Sequence, residues 1–170
     1  MQNKELTSIV EQLAELLIKN NKQLAVAESC TGGWVAKVLT DLAGSSAWFE
    51  RGFVTYSNQA KHEMLGVSES TLEIFGAVSQ ETVTEMAMGA LKNSHADFSL
   101  SVSGIAGPGG GSAKKPLGLV WFAWAVKDKN TLNILASEKQ VFDGDRESVR
   151  QQAVKYVLTR LIKLLEEIVG

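Results

Sequence analysis

A short apolar segment that runs directly into a glycine-containing turn constrains the fold of this chain most. Residues 24–27 are apolar, Glu28-Ser29-Cys30-Thr31-Gly32-Gly33 follows, and residues 34–39 carry apolar side chains at helical spacing. This order predicts a buried strand, a tight turn and a helix. The first N–H groups of a helix lack intrahelical acceptors, so they favour an anion or a developing oxyanion. Ser29 is therefore a candidate helix N-cap and a candidate nucleophile.

The remaining sequence predicts alternating helices and strands in the order α-β-α-β-α-α-β-β-β-α. The predicted helices cover residues 4–20, 33–40, 59–65, 68–74, 79–93 and 146–169, and the predicted strands cover 23–27, 50–57, 97–102, 118–126 and 131–141. Helices before and after most strands imply a sheet that is covered on both faces, and the hairpin over 118–141 makes that sheet mixed. We therefore predict one three-layer α/β/α domain with a mixed sheet across residues 1–170.

Composition and charge exclude several classes of protein. Seventeen basic and nineteen acidic residues give a net charge of −2, which argues against an extended nucleic-acid-binding surface. Since no apolar run approaches about 18 residues, no membrane span is expected. Cys30 is the only cysteine, and with His62 and His95 at unrelated spacings it makes no metal site. The single thiol and the absence of a signal-like N-terminus lead us to expect a cytoplasmic protein.

Tyr56 and Lys61 form a second candidate group. Tyr56 is expected at the end of a strand and Lys61 in the first turn of the next helix, so both side chains could face one pocket. A buried lysine loses its proton more readily and can act as a base for serine, with tyrosine as a second proton carrier or as an orienting group. The alternative is an exposed lysine and an ordinary strand aromatic. Cys30 is a competing nucleophile that would need one of the two histidines as a partner.

Glycine-rich loops and two arginines are candidates for contacting a phosphate. The stretch 103–112 follows a predicted strand but matches neither the P-loop nor the dinucleotide-binding pattern, and 44–46 is a similar, weaker signal. The alternative for both stretches is a flexible loop that contacts no phosphate. Arg146 and Arg150 are four residues apart and share one helix face, which suits bidentate phosphate contact. Pairing with Glu147 or simple solvation is the alternative for these arginines.

Several motifs recur together in an order that is known from one family. They cover residues 27–33, 44–49, 54–58 with Lys61, 76–79, 103–108 and 144–146. In this combination the sequence resembles the CinA C-terminal-domain family, over about residues 5 to 165. Stand-alone members of that family are nicotinamide-nucleotide amidases.

The resemblance implies an activity and a set of catalytic residues. The activity is hydrolysis of the carboxamide of nicotinamide mononucleotide to nicotinate mononucleotide and ammonia, which recycles pyridine nucleotides without a metal or an organic cofactor. Ser29 is the implied nucleophile, and Lys61 with Tyr56 is the implied proton relay. The alternative function is a non-catalytic nucleotide-binding or regulatory module that is linked to competence or DNA damage.

The chemistry of amide hydrolysis completes the candidate site. The backbone N–H groups of Cys30, Thr31 and Gly32 are candidate oxyanion donors. The candidate substrate-binding residues are Gly44, Ser46, Ser103, Gly107 and Arg146. The expected partner is a small-molecule nucleotide, with no nucleic acid and no membrane. The two amphipathic terminal helices and exposed aromatic residues favour a homodimer.

Overall fold

The computed structural model describes residues 3–169. Within this range the helices are α1 (Lys4–Lys19), α2 (Trp34–Thr40), α3 (Asn58–Leu65), α4 (Glu69–Phe75), α5 (Gln80–Lys92) and α6 (Arg146–Val169). The strands are β1 (Leu24–Glu28), β2 (Phe49–Val54), β3 (Phe98–Gly104), β4 (Leu119–Asp128) and β5 (Thr131–Val141). The predicted order of elements is confirmed. No helix between residues 3 and 169 is long and apolar enough to cross a membrane.

The five strands form one mixed sheet in the order β2-β1-β3-β4-β5. β1 is parallel to β2 and to β3, whereas β4 is antiparallel to β3 and β5 is antiparallel to β4. The carboxyl ends of β1, β2 and β3 therefore meet at one edge of the sheet. We call this the carboxyl edge. Ligands of α/β sheets commonly bind outside this edge.

Helices cover both faces of the sheet, so the predicted three-layer α/β/α architecture is confirmed. α1, α2 and α6 pack on one face against apolar side chains such as Val26, Leu100 and Phe122. α3, α4 and α5 pack on the other face, where the small side chains of Ala25 and Ala27 meet α5. Every residue of β1 is buried, which explains why its sequence is continuously apolar up to Glu28.

A close contact between α3 and α5 sets the position of α3. A Cβ atom at Gly89 of α5 would overlap the backbone carbonyl of Leu65 at the end of α3. Glycine is therefore the residue that lets the two helices approach this closely. The N-terminal end of α3 begins with Ser57 as N-cap, whose hydroxyl accepts from the Ala60 N–H. This helix carries Lys61 toward the carboxyl edge.

Element boundaries differ from the prediction mainly around β2. The strand ends at Val54 rather than at residue 57, because the chain leaves the sheet to reach the Ser57 cap of α3. Tyr56 therefore lies in the connection and not on the strand. A single 3-10 turn, Ser45–Ala47, also forms inside the loop that precedes β2.

Candidate active site

Ser29 lies at the carboxyl edge, immediately after β1. Its N–H donates to the carbonyl of Val102 on β3 at 3.0 Å, which continues the parallel pairing by one residue and holds the serine in place. The side chain is buried except for one small exposed part, since the residue is 8% exposed. The serine hydroxyl thus has a fixed backbone and a narrow opening to solvent.

Lys61 points directly at this serine. Its Nζ donates to the Oγ of Ser29 at 2.9 Å and to the carbonyl of Thr55 at 2.9 Å, and the residue is only 1% exposed. Burial lowers the pKa of the Lys61 amine to about 8, because the charged form loses its hydration. A sizeable fraction of the amine is then neutral near pH 8. In that form it can accept the serine proton.

The start of α2 is capped by a carboxylate and not by Ser29. The N-cap residue of α2 is Gly33, with φ of 99° and no side-chain cap of its own. The buried carboxylate of Glu28 accepts from the N–H groups of Val35 and Ala36 at 2.8 and 3.1 Å. It also accepts from the Thr31 hydroxyl at 2.7 Å. The interpretation of Ser29 as a helix cap is wrong, and the anion at this helix N-terminus is the protein's own Glu28.

Cys30 is chemically inert in this environment. Burial raises the pKa of its thiol to about 12, an effect that the nearby Arg150 only partly opposes. The thiolate is the nucleophilic form, so this cysteine is not a competent nucleophile at neutral pH. Both histidines are exposed, and the ring Nδ1 of His62 contacts the carbonyl of Val67. This arrangement provides no cysteine–histidine pair.

The three candidate oxyanion donors differ in whether their N–H groups are already hydrogen-bonded within the turn. The N–H of Gly32 donates to the carbonyl of Ser29 at 3.0 Å, so it is used within the turn. Apart from a contact of the Cys30 N–H with its own thiol, the N–H groups of Cys30 and Thr31 have no hydrogen-bond acceptor among residues 3–169. These two groups therefore remain the candidate donors for an oxyanion.

A cleft of about 210 Å³ opens from Ser29 to the surface. Its inner end holds Ser29, Lys61 and Ser103, and its mouth holds Tyr56 and Arg146. Ser103 is 1% exposed. The small apolar residues Ala77, Val78 and Ala106 also line the cleft. The cleft lining thus combines polar side chains with small apolar ones.

Arg146 joins the two sides of the cleft mouth. Its Nη2 donates to the Tyr56 hydroxyl at 2.7 Å, and its Nη1 donates to the carbonyl of Gly107 at 2.8 Å. Tyr56 is 62% exposed, so its hydroxyl lies at the opening and not beside the amine of Lys61. The structure brings Tyr56 to the same cleft as Lys61, but places its hydroxyl on Arg146.

Two predicted substrate-binding residues lie elsewhere. Gly44 and Ser46 precede β2, whose first residues pair with the start of β1. Ser29 follows the end of β1, so the length of a strand separates it from that loop. The structure does not bring Gly44 and Ser46 to the cleft, because parallel strands place these two loops at opposite ends of the sheet.

Sequence reasoning missed three contributions to the site. Glu28 had a visible signal, since it is an acidic residue at the end of an apolar strand, but its role depends on the shape of the turn. The Thr55 carbonyl is a backbone group and leaves no signal in the sequence. Arg150 was a phosphate candidate, yet its guanidinium contacts the carbonyls of Cys30 and Thr31. Among the described residues, no three His, Cys, Asp or Glu side chains cluster as metal ligands.

Comparison with known proteins gives consistent matches over nearly the whole chain. The family model of the CinA C-terminal domain matches residues 6–165. A nicotinamide-nucleotide amidohydrolase PncC from Escherichia coli K12 is 54% identical over 161 residues, which is 95% of each chain. The protein of the same name from Enterobacter agglomerans is 55% identical over 163 residues, covering 96% of this chain and 97% of that protein.

A solved structure shows the same fold. The competence/damage inducible protein CihA from Agrobacterium tumefaciens superposes with a TM-score of 0.90 at 43% sequence identity. The match covers 96% of this chain and 98% of that chain.

Proposed function

Because this chain belongs to the CinA C-terminal domain family, we propose that it hydrolyses the carboxamide of nicotinamide mononucleotide to nicotinate mononucleotide and ammonia. The observation that carries the proposal is the buried contact between the Nζ of Lys61 and the Oγ of Ser29, at 2.9 Å. A serine with an adjacent base is the arrangement that amide hydrolysis through a covalent intermediate requires.

The first half of the reaction forms an ester on Ser29. Neutral Lys61 takes the hydroxyl proton while the Oγ attacks the carboxamide carbon, and the carbonyl π electrons move onto oxygen. The N–H groups of Cys30 and Thr31 are the donors for that oxyanion. The oxyanion then collapses and the C–N bond breaks, while protonated Lys61 gives its proton to the amide nitrogen, which leaves as ammonia. A nicotinoyl ester of Ser29 remains.

The second half of the reaction uses the same base. Lys61 is neutral again once ammonia has left, so it takes a proton from a water molecule that attacks the ester carbon. The ester C–O bond breaks, and the Oγ of Ser29 recovers its proton from Lys61. One water molecule is consumed, and the product carboxylic acid ionises to nicotinate. The cycle uses Ser29, Lys61 and the N–H groups of Cys30 and Thr31.

The two ends of the cleft suit the two ends of a mononucleotide. Lys61 and Ser29 lie at the inner end, where the carboxamide must reach the nucleophile. Arg146 lies at the mouth, where its guanidinium can contact a 5′-phosphate bidentately. We assign Tyr56 to orienting Arg146, because their side chains are 2.7 Å apart. Ser103 and Gly107 remain candidates for contacts between these two ends.

Ammonia release and product identity test the proposal. Purified protein incubated with nicotinamide mononucleotide should release ammonia and nicotinate mononucleotide in equal amounts. Ser29→Ala should reduce the rate by at least ~10³-fold, the scale seen when a catalytic nucleophile is deleted. Ser8→Ala, an exposed serine on α1, is the matched control and should keep the wild-type rate. Absence of ammonia from the wild-type protein between pH 7 and pH 9 would contradict the proposal.

A non-catalytic nucleotide-binding or regulatory module is the alternative. That function does not require a base against Ser29, so the buried Lys61 contact favours the amidase. Tight binding of nicotinamide mononucleotide with no turnover would support the alternative.

The homodimer also stays a prediction. The apolar faces of α1 and α6 pack within the chain, and each helix keeps only peripheral apolar residues exposed, such as Ile18 and Ile168. Light scattering coupled to gel filtration would measure the mass in solution.

A further inference from the structure

Arg150 holds the backbone of the turn that follows the nucleophile. From the second turn of α6, its Nε donates to the carbonyl of Cys30 at 3.0 Å and its Nη2 donates to the carbonyl of Thr31 at 3.1 Å. The guanidinium carbon also lies 5.3 Å from the ring centroid of Trp34, a cation–π distance. Two directed hydrogen bonds and one stacking contact fix the plane of this cation.

These contacts fix two consecutive peptide planes. In a planar trans peptide the C=O and the N–H point in opposite directions. The Cys30 carbonyl shares its peptide with the Thr31 N–H, so the contact with Arg150 turns that N–H away from the guanidinium. The Thr31 carbonyl also accepts from the Trp34 N–H at 3.0 Å, and it shares its peptide with the Gly32 N–H, which donates to the Ser29 carbonyl at 3.0 Å. Arg150 is therefore the decisive contact for the peptide between Cys30 and Thr31. The Thr31 N–H has no acceptor among residues 3–169.

We propose that Arg150 is a positioning residue for amide hydrolysis, which orients the Thr31 N–H toward the oxyanion without contacting the substrate itself. This inference rests on the proposed function. Arg150 does not line the cleft that contains Ser29, whereas Arg146, one helical turn earlier, does. Although both arginines share a helix face, they have different roles. Arg150 binds the protein backbone, and Arg146 contacts the phosphate of the substrate.

The chemistry of the position favours arginine over lysine. Its guanidinium presents several donors in one rigid plane, so it can serve both carbonyls and stack on Trp34 at the same time. A lysine ammonium is a point charge on a flexible stem and would hold the Cys30 carbonyl in a less fixed direction. The Thr31 carbonyl would keep its bond from the Trp34 N–H at 3.0 Å. Arg150→Lys therefore keeps the charge but loses the orientation.

Steady-state kinetics of Arg150→Lys and Arg150→Ala test the proposal. We expect kcat for nicotinamide mononucleotide to fall about 10²-fold, the scale seen when one oxyanion donor is lost, with KM within about twofold. The pH midpoint of the rate should not move. Millimolar guanidinium ion should partly restore Arg150→Ala, and methylammonium should not. Arg160→Lys is the matched control: this arginine lies on the same helix and donates to Glu138 at 2.8 Å, away from the cleft.

A second measurement is independent of the nucleotide. A fluorophosphonate forms a P–O bond with the Ser29 oxygen as the P–F bond breaks, and the serine proton passes to Lys61. Its rate of labelling reports the nucleophile and the oxyanion donors without the natural substrate. Labelling should slow at least tenfold in both Arg150 variants and stay unchanged in Arg160→Lys. The fraction of protein that can be labelled gives the count of folded sites, so kcat is expressed per site.

The outcomes separate the two proposals. Wild-type protein that is labelled but does not turn over the nucleotide refutes the proposed function, and the labelling rates then decide the role of Arg150. Wild-type rates per site in both Arg150 variants overturn the positioning role. A raised KM with unchanged kcat also overturns it, since Arg150 would then bind substrate. A wild-type protein that shows neither labelling nor turnover refutes both proposals.

Discussion

The amine of Lys61 donates to the Oγ of Ser29 and to the backbone carbonyl of Thr55, each at 2.9 Å. Both acceptors are uncharged, and no carboxylate within residues 3–169 forms an ion pair with this buried lysine. The charged form therefore has hydrogen-bond partners but no counter-ion. Because no counter-ion offsets the lost hydration of the charged amine, burial is the main cause of the lowered pKa of Lys61.

The rate of amide hydrolysis should follow the loss of the Lys61 proton. With a pKa of about 8, kcat/KM should rise about tenfold per pH unit below pH 7 and level off above pH 9. A pH series of kcat/KM for nicotinamide mononucleotide measures the midpoint. The rate of Ser29 labelling by a fluorophosphonate should show the same midpoint. A midpoint of kcat/KM near pH 10 would show that Lys61 is not the neutral base at physiological pH.

Lys61→Met should change how folding stability depends on pH. Wild-type Lys61 has a pKa of about 8 when folded and about 10.5 when unfolded, so unfolding takes up a proton between these values. The free energy of unfolding of the wild type therefore rises with pH across this window, by up to about 3 kcal/mol. Methionine cannot titrate, so the variant lacks this rise. Below pH 8 the variant is thus more stable relative to wild type than it is at pH 10.

Urea denaturation at pH 7 and pH 10 measures this difference. Loss of the hydrogen bond to Thr55 lowers the free energy of unfolding of Lys61→Met by the same amount at both pH values. The diagnostic quantity is therefore how the difference between variant and wild type changes from pH 7 to pH 10. Lys4→Met, at an exposed position on α1, is the matched control and should follow the wild-type pH dependence. Parallel pH curves for Lys61→Met and wild type would show that the amine has an ordinary pKa in the folded protein.

Glu28→Ala should destabilise the turn more than Glu28→Gln does. Alanine leaves the N–H groups of Val35 and Ala36 and the hydroxyl of Thr31 without their acceptor. Hydrogen bonds to a charged group contribute about 1.5 to 3 kcal/mol each, and buried donors are costly to leave unpaired. We expect Glu28→Ala to lose about 3 kcal/mol or more and Glu28→Gln to lose less.

Thermal unfolding of both Glu28 variants measures the effect. The exposed Glu11→Ala on α1 is the control and should leave the Tm unchanged. Equal Tm values for Glu28→Ala and wild type would mean that the start of α2 does not depend on this carboxylate.

Arg146→Ala should discriminate between phosphorylated and unphosphorylated substrates. Loss of a guanidinium–phosphate contact should lower kcat/KM for nicotinamide mononucleotide about 10- to 100-fold, which corresponds to the 1.5–3 kcal/mol of a charged hydrogen bond. The rate for nicotinamide riboside, which has no phosphate, should change little. Tyr56→Phe should give a smaller effect of the same kind, because it removes only the partner of Arg146. Equal losses with both substrates would place the phosphate elsewhere.

The order of helices and strands was predictable because it rests on local patterns: apolar periodicity, serine caps and glycine at turns. The pairing of Ser29 with Lys61 was predictable only in part. Ser29 follows β1 and Lys61 lies in the first turn of the helix after β2, so the sequence places both at the same edge of the sheet. The place of Gly44 and Ser46 was also contained in the sequence. A strand, a helix and a second strand imply parallel strands, and the loop before the second strand then lies at the far end.

Other parts of the site depend on contacts that no local pattern encodes. Tyr56 meets Arg146 across 90 positions of sequence, and Arg150 meets Cys30 across 120. Hydropathy cannot distinguish a solvated Glu28 from one that is buried with three donors. The contacts of Tyr56 and Arg150 follow from the packing of α6 against β3 and β4, and those of Glu28 follow from the turn into α2.

Adjacent residues of the nucleophile turn engage three different helices: Glu28 caps α2, Ser29 meets Lys61 on α3, and the Cys30 and Thr31 carbonyls bind Arg150 on α6. Each residue from Glu28 to Thr31 therefore has a partner on a neighbouring helix. One inserted or deleted residue would shift all of these partners at once, and no single compensating substitution could restore them. The length of the turn is therefore fixed by the helices around it, independently of which side chains it carries.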